Sequence, residues 1–133
     1  MDPLGTHLLL EMAGCSPDFL DNEEGVRRAL LRAVMEANAT ILDSSFHKFS
    51  PQGVSGVVVI AESHLSIHTW PELGYAAVDV FTCGDRAMPH KAVEHLIEVF
   101  TPTHYDLREM ARGLPEAYLR DRGITDEATC PAP

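Results

Sequence analysis

Lysine is scarce in this chain: Lys48 and Lys91 are the only two among 133 residues. Pyridoxal-phosphate chemistry needs a lysine Schiff base. Neither lysine stands in a cofactor motif, so pyridoxal phosphate is not expected. Cysteine is almost as sparse, with Cys15, Cys83 and Cys130. An odd set of three implies no disulfide framework and fits a reducing interior. Cys15 and Cys130 read as small buried or incidental thiols. Long apolar runs are missing too. The longest, Val57 to Ala61, falls far short of the roughly 20 residues that span a membrane. The stretch MDPLGTHLLLEMAG lacks a basic region ahead of a long apolar segment, so no signal peptide is expected and the expected location is cytoplasmic. Positive charge is in deficit: ten Lys and Arg stand against twenty Asp and Glu, a formal net charge of −10. A general nucleic-acid binder needs a basic footprint, so neither nucleic acid nor membrane is an expected partner. An acidic surface favours solubility and a cationic ligand.

Hydrophobic residues make up 45% of the chain, too many for a disordered segment, and the length suits one domain with a real core. Leu4 to Met12 reads as a strand. Asp21 has the position of a helix N-cap, with Glu24 at capping-box spacing. Val26, Ala29, Leu30, Ala33, Val34 and Ala37 then recur on one helical face. Thr40 to Phe49 reads as a strand, followed by a turn at Pro51-Gln52-Gly53. Val54 to Ala61 is rich in β-branched residues and reads as a buried strand. From His64 to Trp70 the pattern alternates, with Leu65, Ile67 and Thr69 on one side. Pro71 to Gly74 is a turn, Tyr75 to Cys83 a strand, and Pro89 opens a second helix with Ala92, Val93, Leu96, Ile97 and Phe100 as its core face. Thr103 to Ala111 reads as a last strand, and the tail from Gly113 onward as irregular and partly mobile. The order β-α-β-β-β-β-α-β predicts an α+β fold. It is a two-layer sandwich, a mainly antiparallel sheet with two helices on one face. The other face needs a cover of its own, which predicts dimerisation.

The segment from Ala61 to Glu72, followed by Phe81-Thr82-Cys83-Gly84, carries the chemistry. One reading is a hairpin with a polar wet face. A metal site is a second, since His64 and His68 share a strand face with Glu62 and Glu72 near. However, residues four apart on a strand lie about 13 Å apart, too far for one ion at about 2 Å from each, so no metal is predicted. The third reading is a nucleophile with a base and a proton donor. If Pro71 to Gly74 closes a tight hairpin, Trp70 pairs near Tyr75 and Ser63 falls opposite Thr82 or Cys83. Either register brings the Cys83 thiol beside the Glu62–Ser63 peptide bond.

These residues carry a resemblance. Glu62-Ser63-His64-Leu65-Ser66-Ile67-His68-Thr69-Trp70-Pro71-Glu72, with Phe46-His47-Lys48-Phe49, Gly53-Val54-Ser55-Gly56 and Cys83-Gly84, closely resembles the short prokaryotic S-adenosylmethionine decarboxylase proenzymes. The likeness runs from about Leu4 to Phe100 and is weak beyond it. Leu73 departs from the family, which often has an aromatic there. The resemblance implies one domain, 1–133, that cuts itself between Glu62 and Ser63 into chains 1–62 and 63–133. It also implies a covalent pyruvoyl group made from Ser63, whose ketone binds the substrate amine and takes up the electrons freed as CO2 leaves. By the same resemblance His68 is the acid/base of processing, helped by Ser55, and Cys83 is the proton donor in catalysis. Phe49 is a candidate to stack on adenine, or a core aromatic. Glu72 is a candidate for the ribose hydroxyls, or a solvated turn residue. For Ser55 the residues alone favour a turn or strand hydroxyl.

The implied activity is decarboxylation of S-adenosylmethionine to its aminopropyl-donor form for spermidine synthesis. The same chemistry on arginine or ornithine is an alternative, as is a non-enzymatic regulatory homologue. One expectation follows from spacing. Ser63 and His68 are five residues apart, roughly 16 Å along a straight strand. Either that strand folds sharply or His68 serves another chain, and no Gly or Pro marks a bend. A homodimer with shared active sites is therefore expected, Ser63 and Cys83 coming from one protomer and His68, with Ser55, from the other.

Overall fold

The computed structural model describes residues 3–84 and 86–113, together with 116, 120, 121 and 123. Most of the tail read as irregular, and Cys130, lie outside the described residues. Six strands form one sheet: β1 (Gly5–Ala13), β2 (Thr40–Lys48), β3 (Val54–Ala61), β4 (Ser63–Trp70), β5 (Tyr75–Cys83) and β6 (His104–Arg112). Their spatial order is β2-β3-β4-β5-β1-β6, and every pair is antiparallel. The α+β expectation and the antiparallel sheet hold.

Among the described residues three helices pack on the sheet where two were expected: α1 (Pro17–Leu20), α2 (Glu23–Glu36) and α3 (Pro89–Phe100). Four residues are too few for α1 to declare a helical period. Its signals are local, a Ser16 side chain accepting from the Phe19 amide and Pro17 in the first turn. The extra helix also moves the cap of α2. Asp21 closes α1, its amide donating to the Pro17 carbonyl at 3.1 Å. The cap is therefore Asn22, whose Oδ1 accepts from the Gly25 amide at 3.0 Å, and the expected Asp21 cap is corrected by one residue. The expected core face of α2 is buried throughout. On α3 Ala92, Val93, Leu96 and Phe100 are buried, and Ile97 packs partly buried against them.

The core lies between these helices and one sheet face. Leu8 and Leu10 of β1, Val58 of β3, Leu65 of β4 and Val80 of β5 are fully buried there, each contributing about 1.5–3 kcal/mol by burial. Strand alternation sends His7, Ser55, Val57, His64, Ser66, His68, Asp79 and Cys83 to the opposite face, where none is fully buried. No helix is long and apolar enough to cross a membrane among the described residues.

Two polar ties hold the rim nearest His68. Buried Thr69 donates its hydroxyl to the Leu20 carbonyl at 2.8 Å and accepts from the Val54 amide at 2.9 Å. Asp21 accepts from Lys48 Nζ at 2.8 Å and from the Gly53 amide at 2.9 Å. The Lys48 bond first, then the Gly53 bond, hold the Asp21 carboxyl below its ordinary range. A carboxyl lowered on folding stabilises above the ordinary Asp value of about 3.9, and that contribution is lost as pH falls through the folded value. Asp21→Asn should therefore melt below the parent at neutral pH and converge with it in acid. Melting curves from about pH 3 to about pH 7 check this; a pH-independent offset would contradict it.

Candidate active site

The β3–β4 hairpin is unusually tight. Ile60 pairs with Ser63, leaving Ala61 and Glu62 as a two-residue turn. Neither is a Gly or Asn, the usual residues of such a turn. Ser63 adopts φ 115°, a conformation that costs a non-glycine residue about 1–3 kcal/mol and is retained where surrounding structure enforces it. The enforcing contacts are visible. Ser63 pairs with Thr82 on β5, and the Cys83 amide donates to the Glu62 carbonyl at 3.2 Å. Of the two registers open in the sequence, the Thr82 pairing is the one formed. The backbone N–H of Cys83 thus points at the carbonyl of the Glu62–Ser63 bond, while its partly exposed side chain stands on the open sheet face. A cavity of about 560 Å³ opens here, lined by Asn38, Thr40, Glu62, Cys83 and Arg86 among others. Ser63 Oγ lies 3.4 Å from His64 Nδ1.

The other expected residues gather at the far end of β4. Ser55 pairs with His68 in the β3–β4 ladder, and Ser55 Oγ hydrogen-bonds His68 Nδ1. The His68 ring sits 4.7 Å from the Trp70 ring and 6.0 Å from that of Phe49. Phe49 follows β2, is 41% exposed and is held by the turn that Asp21 ties down, so it is not a core aromatic. Glu72 is exposed in the 3₁₀ turn Pro71–Leu73. A pocket of about 480 Å³ at this end is lined by His47, Ser55, Ser66, His68 and Asp79 among others. Asp79 accepts from Ser66 Oγ at 2.9 Å and from His7 Nε2 at 3.0 Å, while Arg112 donates to His7 Nδ1 at 3.3 Å.

The chain therefore brings Glu62, Ser63, His64 and Cys83 together at one rim, and Phe49, Ser55 and His68 at the other, with Glu72 in the turn that follows β4. It does not bring the two sets together. β4 pairs with β5 in unbroken register from Ser63–Thr82 to Trp70–Tyr75. No sharp fold relieves the separation of about 16 Å.

The S-adenosylmethionine decarboxylase family model matches residues 6–113, most of the chain. The chain belongs to this family. An S-adenosylmethionine decarboxylase proenzyme of Pelotomaculum thermopropionicum is 57% identical over 122 residues, covering 91% of this chain and 97% of the relative. One from Moorella thermoacetica is 54% identical over 116 residues, covering 87% and 93%. The crystal structure of the adenosylmethionine decarboxylase from Aquifex aeolicus superposes with a TM-score of 0.81 at 41% identity, covering 86% of this chain and 94% of that one. A Trypanosoma brucei AdoMetDC monomer, at 16% identity and a TM-score of 0.60 over 85% of this chain and 55% of that one, shares the fold alone.

Two features of the Ser63 rim escaped the sequence. His64 stands out there only as half of a metal pair. Gly5 carries no turn signal and has no positive φ, yet a Cβ on it would lie 2.9 Å from Cys83 Sγ, 2.8 Å from the Thr82 carbonyl oxygen and 2.5 Å from the Phe81 ring. Gly5 is the cross-strand partner of Cys83, so glycine here makes the notch in which the thiol sits. Burial pushes the Cys15 thiol up, leaving Cys83 as the accessible thiol of the two. Gly5→Ala should displace the Cys83 side chain, change its alkylation rate in peptide mapping, and destabilise by about 1–3 kcal/mol through overpacking. An unchanged alkylation rate would show that the notch does not position the thiol.

Proposed function

We propose that this chain is a self-cleaving, pyruvoyl-dependent enzyme that decarboxylates S-adenosylmethionine to the aminopropyl donor used for spermidine. In this reading a single domain, 1–133, is cut between Glu62 and Ser63 into chains 1–62 and 63–133. The observation that carries it is the geometry of that bond, where a two-residue turn enters β4, with a strained Ser63 and the Cys83 amide on the Glu62 carbonyl. Attack of Ser63 Oγ on that carbonyl turns the amide into an ester, and the Cys83 N–H is placed to stabilise the oxyanion. β-Elimination then releases the Glu62 carboxylate and leaves dehydroalanine at residue 63. Tautomerisation and hydrolysis release ammonia and leave the pyruvoyl group. Its ketone supplies an electron sink for the substrate's carboxyl-bearing carbon.

The chain's own residues do the rest. Cys83, on the open face beside residue 63, is the proton donor to the carbon left by CO2. His68, oriented by Ser55, is the acid/base of processing. Phe49, exposed beside His68, offers a face to adenine, which favours a nucleoside substrate over arginine or ornithine. Glu72 offers a carboxylate to ribose hydroxyls. His64 and Cys83 at one end and Ser55 and His68 at the other share one open sheet face, with Ser63 at the rim of the first end. A two-fold pairing of that face with a second copy completes two identical sites, each joining Ser63 and Cys83 of one protomer to Ser55 and His68 of its partner.

Two experiments bear on this reading. Ser63→Ala should stop cleavage, and so should His68→Ala. Co-folding the two should yield mixed dimers in which the His68→Ala chain is cut, because one site then joins an intact Ser63 to an intact His68. Mixed dimers that stay uncut on denaturing gels would contradict the shared site. Cys83→Ala should still be cleaved, at least in part, but decarboxylate about 10²–10⁴-fold more slowly; normal turnover per cleaved chain would remove the proton-donor role.

A further inference from the structure

Within one chain the Ser55–His68 pair is at the wrong end of β4 to touch Ser63. Yet Ser63 is not without an imidazole, since its Oγ lies 3.4 Å from His64 Nδ1. We infer that His64 is a catalytic residue of self-cleavage, the base that takes the Ser63 hydroxyl proton in the first step. The inference rests on the proposed cleavage at Glu62–Ser63 and assigns one step within it.

Three observations carry it. The separation is within reach of a base whose hydrogen bond tightens as the reaction proceeds. The ring is also held in place. His64 meets the Phe81 ring edge-on at 5.9 Å and 86°. Phe81 is in turn fixed by the stacked His7 ring at 5.4 Å and the Arg112 guanidinium at 5.0 Å. The third observation is that the same chain supplies the remaining group the step requires, the Cys83 N–H on the Glu62 carbonyl oxygen. Nucleophile, base and oxyanion donor therefore share one rim of one protomer.

The step balances. The proton leaves Ser63 Oγ for His64 Nδ1 as Oγ bonds to the Glu62 carbonyl carbon. The bond from that carbon to the Ser63 nitrogen then breaks, and the nitrogen takes the proton back from His64. The product is an ester isomer of the chain, with nothing gained or lost. His68 and Ser55 of the partner are left the later step, removal of the Ser63 α-proton that drives elimination.

The test uses the ester's lability to hydroxylamine. His64→Asn keeps a polar atom near the Nδ1 position but cannot take up a proton. In otherwise intact dimers it should slow cleavage about 10²–10⁴-fold, as loss of a general base does. In a His68→Ala background, where elimination stalls, chains with His64 intact should accumulate an ester that hydroxylamine cuts at residue 63. Adding His64→Asn should abolish that ester. Melting curves and sedimentation check that the variants fold and dimerise. Should His64→Asn misfold, His64→Ala with added imidazole takes its place, and cleavage restored by imidazole supports the role. A folded His64→Asn dimer that cleaves at the parent rate overturns the inference, as does imidazole failing to restore cleavage to folded His64→Ala. Absence of ester from His68→Ala chains with His64 intact overturns it equally, because the shift would then depend on His68. A parent protein that never cleaves at Glu62–Ser63 would instead refute the proposed function, and the inference with it.

Discussion

The straightness of β4 is the constraint on which the rest depends. Its ladder with β5 runs from Ser63 to Trp70 without a bulge, and its ladder with β3 runs from Ser63 to His68. Central strands paired on both sides cannot curl to bring their ends together without breaking those bonds, each worth about 0.5–1.5 kcal/mol net. The serine at one end and the histidine at the other are therefore held apart by the same hydrogen bonds that make the sheet. Period-two alternation adds that His64, Ser66 and His68 share the face opposite to buried Leu65, Ile67 and Thr69. The strand sorts its residues into a chemical side and a packing side, and spreads the chemical ones along its length.

The packing side explains why the chemical side can remain open. All the fully buried large side chains, from Leu8 to Phe100, belong to the single cluster under the helices. The open face instead carries a chain of polar contacts from Arg112 through His7 and Asp79 to Ser66, with the Ser55–His68 pair beside it. Groups so linked keep fixed orientations without a core of their own. The apolar core and the polar, hydrogen-bonded groups thus lie on opposite faces of one sheet. A second copy laid on the open face would exclude water there and leave the helical core untouched.

Much of this was legible in the sequence because the strongest signals are local and periodic. Alternation placed Leu65, Ile67 and Thr69 on one side, which is the buried one. The turn at Pro71 to Gly74 gave the Trp70–Tyr75 pair, and counting back reached the Ser63–Thr82 pair to within one residue. The features that stayed hidden lack such signals. α1 is one turn long. The α2 cap shifted from Asp21 to Asn22 because a helix that has no period of its own claimed Asp21 first. The Ala61–Glu62 turn contains no turn residue, so only the ladder partners on both sides reveal it. Gly5 and His64 take their meaning from neighbours across the sheet, Cys83 and Phe81, and no spacing along the chain encodes that.

Sheet order also determines what cleavage at Glu62–Ser63 would do to the fold. Chain 1–62 holds β1, β2 and β3, and chain 63–133 holds β4, β5 and β6. In space they interleave: β1 lies between β5 and β6, while β3 lies against β4. Cutting the hairpin tip removes one covalent link but none of the ladders β1–β5, β1–β6 and β3–β4. The two pieces also share the core, Leu8, Leu10 and Leu30 from one packing with Leu65, Leu96 and Phe100 from the other. Separating them would expose that cluster, at about 25 cal/mol for each Å² of apolar surface. What such a cut would release is the local constraint at residue 63, where the turn holds φ at 115°. A bond placed where a two-residue turn enters a strand, inside an interleaved sheet, can be broken with its strain relieved and its surroundings kept. That combination is what the proposed scission would need, since it would have to create a reactive group without dispersing the residues that use it.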